Sequence, residues 1–139
     1  FEAEALSGVA VRDKESAVQA AGRILDAGAG AVIVKGGHLD CTDLLATKEM
    51  SLFLPGKRVA GENHGVGCTY SAALTAYLAS GASLPQAARQ AKRFAEYALS
   101  GSMRVGKGVG PVSQAAGLRC EAKRYRSICN VPDAPDYLL

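Results

Sequence analysis

Apolar residues recur at helical spacing from the first positions of the chain. Glu2-Ala-Glu-Ala-Leu6 reads as a short helix over residues 2–8, closed by Gly8. Ala17, Val18, Ala21, Ile24 and Leu25 predict a second helix over 14–27, with Asp13 as its N-cap and Gly28 and Gly30 at its end. The period then changes. Ala31-Val-Ile-Val34 is a short continuous apolar run, the pattern of a buried parallel strand, and it stops at Lys35-Gly36-Gly37-His38. Cys41 to Leu45 and Ser51 to Leu54 predict two further strands. Pro55-Gly56 marks a turn, from which Arg58-Val59-Ala60 is expected to return as a paired strand. Gly61 to Gly67 is a polar, glycine-rich loop that feeds a helix of small residues over 67–80, ended by Gly81. Ser83 caps the next helix, with Pro85 in its first turn, and this one runs to Leu99. Gly101 to Pro111 is a second glycine-rich loop, and beyond Gly117 the periodicity fades.

Helices alternating with short apolar strands predict an α/β protein. At 139 residues the chain is expected to form one domain with a real core. Its 48% apolar and 21% charged residues exclude a disordered chain. A net charge of +3 is too small to argue for nucleic acid but suits an anionic small ligand. None of Cys41, Cys68, Cys120 and Cys129 forms a Cys-x-x-Cys pair or has zinc-ligand spacing. A reduced, cytoplasmic protein is therefore expected, with a Cys120–Cys129 disulfide the exception rather than the rule. No apolar run approaches the roughly 20 residues of a membrane helix. The chain opens at Phe1, directly in a helical pattern, and is expected to be a truncated or processed piece, or one half of a longer enzyme.

The strongest local chemistry lies in His64-Gly65-Val66-Gly67-Cys68-Thr69. Two glycines one residue apart let the backbone approach a ligand closely. A helix begins there, so its first amides point outward and its dipole favours an anion. Cys68 would stand at the same positive end, where the field favours a thiolate. A glycine-rich turn before a core helix, with an inert buried cysteine, is the plainer reading of the same residues. Gly101-Ser-Met-Arg-Val-Gly106-Lys107-Gly108 nearly has P-loop spacing. It is excluded because Gly108 stands where Ser or Thr must reach magnesium and because a helix, not a strand, leads into it.

Several motifs occur in the order found in the hydroxymethylpyrimidine phosphate kinases of thiamin synthesis. Gly65-Val66-Gly67-Cys68 resembles their Gly-x-Gly-Cys anion hole, flanked by Glu62-Asn63-His64 and Ser71-Ala72-Ala73-Leu74. Val32-Ile-Val-Lys35-Gly36-Gly37-His38, followed by Asp43-Leu44, resembles their strand-end segment. Glu2-Ala3-Glu4-Ala5-Leu6 is similar to the residues just after Asn in their Asn-x-x-Glu segment, and Lys107-Gly108-Val109-Gly110-Pro111 to their closing Gly-x-Gly-Pro. The resemblance covers residues 1–113.

It implies a ribokinase-like fold, three layers α/β/α around a mostly parallel sheet, of which this chain would be the C-terminal half. Residues 1–117 would form the nucleotide-binding part and 118–139 a tail of separate character. The resemblance further implies ATP and Mg2+ as cofactors. Gly65, Gly67 and Cys68 would be catalytic, the first two through backbone amides and Cys68 as the base. Lys35, Gly36, Gly37 and Val66 would contact the nucleotide, and Glu2 would organise the magnesium through water. His38 and His64 are candidates for the same site, and Asp40 and Asp43 are expected as turn or surface residues. The implied substrate is a small pyrimidine, with a pyridoxal kinase-like enzyme or a non-catalytic nucleotide-binding or assembly module as alternatives. A homo-oligomer, or pairing with a complementary N-terminal half, is also implied. The tail, with Arg119, Lys123, Arg124 and Arg126, is expected to be a solvated terminus rather than a nucleic-acid contact.

Overall fold

A computed structural model of the protein describes residues 1–37, 39–59 and 63–129, with side chains through residue 122. The chain divides into two compact units, Phe1–Arg58 and Val59–Leu139.

The first unit contains α1 (Glu2–Ser7), α2 (Lys14–Asp26), β1 (Val32–Val34), β2 (Asp43–Ala46) and β3 (Ser51–Leu54). Helix α2 starts where the sequence places it. The Asp13 carboxylate accepts the Ser16 N–H at 2.8 Å, and the Ser16 hydroxyl oxygen accepts the Asp13 N–H at 3.1 Å. This reciprocal box satisfies amides that the helix itself leaves without acceptors. The apolar stripe of α2, Ala17, Ala21 and Leu25, packs with Val34, Leu44 and Ala46 into one buried cluster.

The three strands form a sheet in the order β1-β2-β3, and both pairings are antiparallel, with Val34 opposite Leu44 and Leu44 opposite Phe53. The parallel pairing expected of Ala31–Val34 is not observed within this unit. The reason is geometric: a parallel crossover needs roughly a dozen residues or more, and the connection over 35–42 is shorter than that. That connection is tight, because the Leu39 N–H reaches the Gly36 carbonyl at 2.9 Å and the Thr42 N–H reaches the Leu39 carbonyl at 2.8 Å. A β-carbon on Gly36 would lie 1.6 Å from the Thr42 carbonyl oxygen, so only glycine fits there. Arg58 and Val59 form no strand, and Ala60, the third residue of that expected element, lies outside the described residues.

The second unit contains β4 (Asn63–His64), α3 (Val66–Ala79), α4 (Leu84–Ser100), β5 (Gly110–Pro111) and α5 (Gln114–Cys129). Strands β4 and β5 pair in parallel, Asn63 with Gly110 and His64 with Pro111, joining the two segments read as glycine-rich loops. Among the described residues this is where parallel pairing occurs. Helix α4 buries Ala87, Ala88, Ala91, Ala95 and Ala98. Such small side chains let helix backbones approach closely, and the Tyr70 hydroxyl of α3 reaches the Ala88 carbonyl at 3.4 Å.

Helix α5 corrects the reading of the C-terminal region. It runs through the expected boundary at 117/118, and residues 118–129 are helical rather than an irregular tail. It is held by close approach instead of an apolar stripe, which is why periodicity does not reveal it. A β-carbon on Gly117 would lie 2.8 Å from the Phe94 ring, and Arg93 faces Glu121 at 3.6 Å. Cys120 is not in a disulfide. Cys129 lies two and a half helical turns along the same helix, about 13 Å away and beyond disulfide reach. Cys120 instead hydrogen-bonds the Tyr97 side chain, and that contact raises the phenol above its usual value. Residues 130–139 lie outside the described residues.

Two outcomes follow for stability. The hydrogen bonds from Ser16 hold the Asp13 carboxyl below its ordinary value. A carboxylate whose folded value is depressed stabilises the protein fully above the unfolded value, near ~4, and ceases to do so as pH falls through the folded value. Asp13→Ala should therefore lower the urea midpoint at pH 7, and the gap to the parent should close in acid. Gly36→Ala cannot be accommodated without displacing the start of β2, and should cost more than ~3 kcal/mol in urea unfolding or prevent folding of the first unit.

Candidate functional site

The start of α3 combines three features that do not require one another. Strand β4 enters it, and Gly65 then turns the chain with φ 93°, a left-handed conformation costly for any residue with a β-carbon. Val112 follows β5 and donates its N–H to the His64 carbonyl at 3.1 Å, so the parallel pair fixes the height at which the turn is made. The first intrahelical bond runs from the Thr69 N–H to the Gly65 carbonyl at 2.9 Å. The amides of Val66, Gly67 and Cys68 precede it and have no acceptor within the helix. Gly65 supplies no side chain to cap them.

Gly67 and Cys68 are exposed in this first turn. The buried-cysteine reading therefore fails, and the thiol stands in solvent at the helix end. The two glycines have different reasons for being there. Gly65 is demanded by its dihedral. Gly67 has an ordinary helical backbone, and a β-carbon on it would meet nothing within 4 Å. The turn has a second support on its inner side: Thr69 is buried, and its hydroxyl oxygen accepts a hydrogen bond from Gln114 Nε2 of α5 at 3.2 Å. Periodicity carried no signal for Gln114. Beyond Thr69, an apolar cavity of about 390 Å³ opens between α3, α4 and α5, lined by Ala72, Ala76, Tyr77, Phe94 and Leu118.

In the first unit, Lys35 leaves the end of β1 with its side chain 43% exposed. Its ammonium meets the Asp43 carboxylate at 2.5 Å, and the other Asp43 oxygen accepts the Gly36 N–H at 2.8 Å. Asp43 is 2% exposed. The expectation of a turn or surface aspartate at 43 is thus corrected: the residue is the buried opening position of β2. The signal available in the sequence was the pairing of Lys35-Gly36 with Asp43-Leu44 across one short connection. Asp40 does sit in the turn, with φ 49°, followed by Cys41 at φ 58°. Gly37 is exposed, and a β-carbon there would meet nothing within 4 Å.

Glu2 is exposed in the first turn of α1. The structural contacts nearby belong to Glu4, which accepts the Val11 N–H at 2.8 Å. Among the described residues there is no group of three or more His, Cys, Asp and Glu side chains arranged to hold a metal. A single exposed carboxylate fits magnesium only in the mode where water and nucleotide oxygens complete the shell. His64 is exposed on β4, whereas His38 and Glu62 lie outside the described residues. No helix among the described residues is long and apolar enough to cross a membrane.

The chain is similar to known proteins over most of its length. Residues 1–113 match the family model described as phosphomethylpyrimidine kinase. The hydroxymethylpyrimidine/phosphomethylpyrimidine kinase of Staphylococcus aureus (strain MSSA476) is 38% identical over 127 residues, covering 86% of this chain and 46% of the relative. The pyridoxal kinase of Staphylococcus aureus solved in complex with AMP-PCP superposes with a TM-score of 0.79 at 39% identity, covering 84% of this chain and 45% of that one. Phosphofructokinase-2 of Escherichia coli, at 24% identity, shares the fold with a TM-score of 0.61 over 90% of this chain and 39% of its own. These likenesses bear out the ribokinase-like α/β fold, and the chain spans about half the length of the curated relatives it matches. On the family match and the identity together, the chain belongs to the phosphomethylpyrimidine kinase family.

Proposed function

We propose that this chain supplies the ATP-binding and anion-hole half of a kinase that phosphorylates hydroxymethylpyrimidine or its monophosphate in thiamin biosynthesis. One observation carries the reading. Gly67 is a glycine that neither backbone conformation nor packing explains, and it lies among outward-facing amides at a helix start. A glycine in a helix costs stability relative to alanine. Its presence is accounted for if a phosphoryl group must come closer than a β-carbon allows.

In this reading an acceptor oxygen attacks the γ-phosphorus of ATP, the bond to the bridging oxygen breaks, and ADP leaves. The amides of the Gly65–Cys68 turn, those of Val66 and Gly67 included, receive the charge of the transferring group, as pre-aimed dipoles do. Cys68, as thiolate, takes the proton when the acceptor is an alcohol; an acceptor that is already a phosphate has far less need of a base. Lys35 neutralises the nucleotide phosphates, and the backbone of Gly36 and Gly37 lies beside them. Glu2 would hold magnesium through water, and the ion would supply neutralisation of phosphate charge. The substrate pocket would be completed by a complementary N-terminal half or by oligomer formation, in the cytoplasm.

A pyridoxal kinase is the second reading. It is suggested by solved structures of similar identity, one of them named as a complex of a pyridoxal kinase with pyridoxal. The nucleotide chemistry is common to both readings, so nucleotide binding is tested first.

In calorimetry with MgATP, Gly67→Ala should melt at or above the parent temperature yet bind at least tenfold more weakly, about the effect of one lost hydrogen bond. Equal affinity in parent and variant would remove the anion-hole assignment. Cys68→Ala should bind MgATP as the parent does and, assayed in the enzyme with its substrate pocket completed, lower turnover of hydroxymethylpyrimidine by ~10²–10⁴, the usual range for a lost general base. Turnover of pyridoxal, with none of the pyrimidine or its monophosphate, would select the second reading.

A further inference from the structure

We propose that Asp43 is the positioning residue for Lys35, an inference that rests on the nucleotide-binding reading and deepens it. The carboxylate forks onto two consecutive residues: one oxygen takes the Lys35 ammonium and the other takes the Gly36 N–H. Side chain and backbone of the same turn are thereby fixed by one group. Burial divides unequally across the pair, with the Asp43 side chain 3% exposed and the Lys35 side chain 43% exposed. A buried anion thus holds a cation whose face remains open to solvent.

The arrangement is a poor choice for folding alone. A buried carboxylate loses its hydration, and a neutral acceptor would satisfy the Gly36 amide without that loss. The charge is accounted for by the lysine. Lysine has a flexible four-carbon stem and loses rotamer freedom when it binds a ligand from a mobile state. Held beforehand, it loses less on meeting a phosphate. The backbone enforces the register of the fork. Gly36 lets the Thr42 carbonyl approach where a β-carbon would stand, and the β1–β2 pairing sets Val34 opposite Leu44, so Lys35 and Asp43 fall at the same end of the hairpin. Asp43 touches no reacting atom in this account and acts through Lys35.

Competitive acetylation followed by mass spectrometry tests this, with the exposed Lys48 and Lys107 as internal references. In the folded parent, Lys35 should react about fivefold more slowly than the references, the effect of a charged pair weakened by the exposure of its ammonium to solvent. Asp43→Asn, checked by melting to be folded, should bring Lys35 to the reference rate. MgATP should slow Lys35 further in the parent, and Asp43→Asn should need at least about fivefold more MgATP for the same protection. A loss confined to folding would lower the melting temperature without moving that concentration. Reaction of Lys35 at the reference rate in the parent overturns the inference, and this arm needs no variant. An unchanged MgATP requirement in Asp43→Asn overturns it while leaving the nucleotide reading standing. If MgATP leaves Lys35 of the parent unaffected, the phosphate role of Lys35 fails and the inference falls with it.

Discussion

The Thr42 carbonyl oxygen lies where a β-carbon on residue 36 would have to be. Backbone on backbone at that distance closes the connection between β1 and β2, and much of the first unit depends on the closure. It brings Asp43 back to the end of β1, where the carboxylate meets Lys35 and the Gly36 amide. It places Leu44 opposite Val34, completing the surface against which Ala17, Ala21 and Leu25 of α2 pack. One missing side chain therefore governs the hairpin register, the position of a charged group and the apolar cluster behind it.

The second unit uses a related device. Gly65 takes the left-handed conformation, and the chain passes from β4 into α3 without a capping side chain. A serine or aspartate at this position would cap first-turn amides with its side chain, and Gly65 has none to offer. The turn is therefore braced from outside those amides, by the Val112 N–H on the His64 carbonyl and by Gln114 on Thr69. Support comes from β5 and α5, well separated in sequence, and neither contact uses the first-turn amides. Site preorganisation of this kind needs rigid elements around a polar turn that is left unfilled.

The helices were legible because their signals are local. The Asp13 cap, the Ser83 cap with Pro85, the Gly8 stop and the alternation of small apolar residues all act within a turn or two of the helix they bound. Strand β3 was legible for the same reason, as an apolar run between turn residues. The antiparallel partner of β1 is not legible in its apolar run, which states burial and not direction; the short connection to β2 sets that direction. Helix α5 was missed because Gly117, Cys120 and Glu121 bind it to α4 by contact with particular residues. Such a helix leaves no periodic trace.

The candidate site divides along the same line. The sequence by itself determined the family motifs, the two glycine-rich turns and the presence of Cys68 at a helix start, since each is a matter of residue order within a few positions. Tertiary structure alone decided that Cys68 is exposed, that Gly65 is needed by the fold while Gly67 is not, and that Asp43 is a buried partner of Lys35. These are questions of which atoms meet across strands and helices. A carboxylate looks the same in a sequence whether it faces water or an ammonium, and only the closed hairpin distinguishes the two.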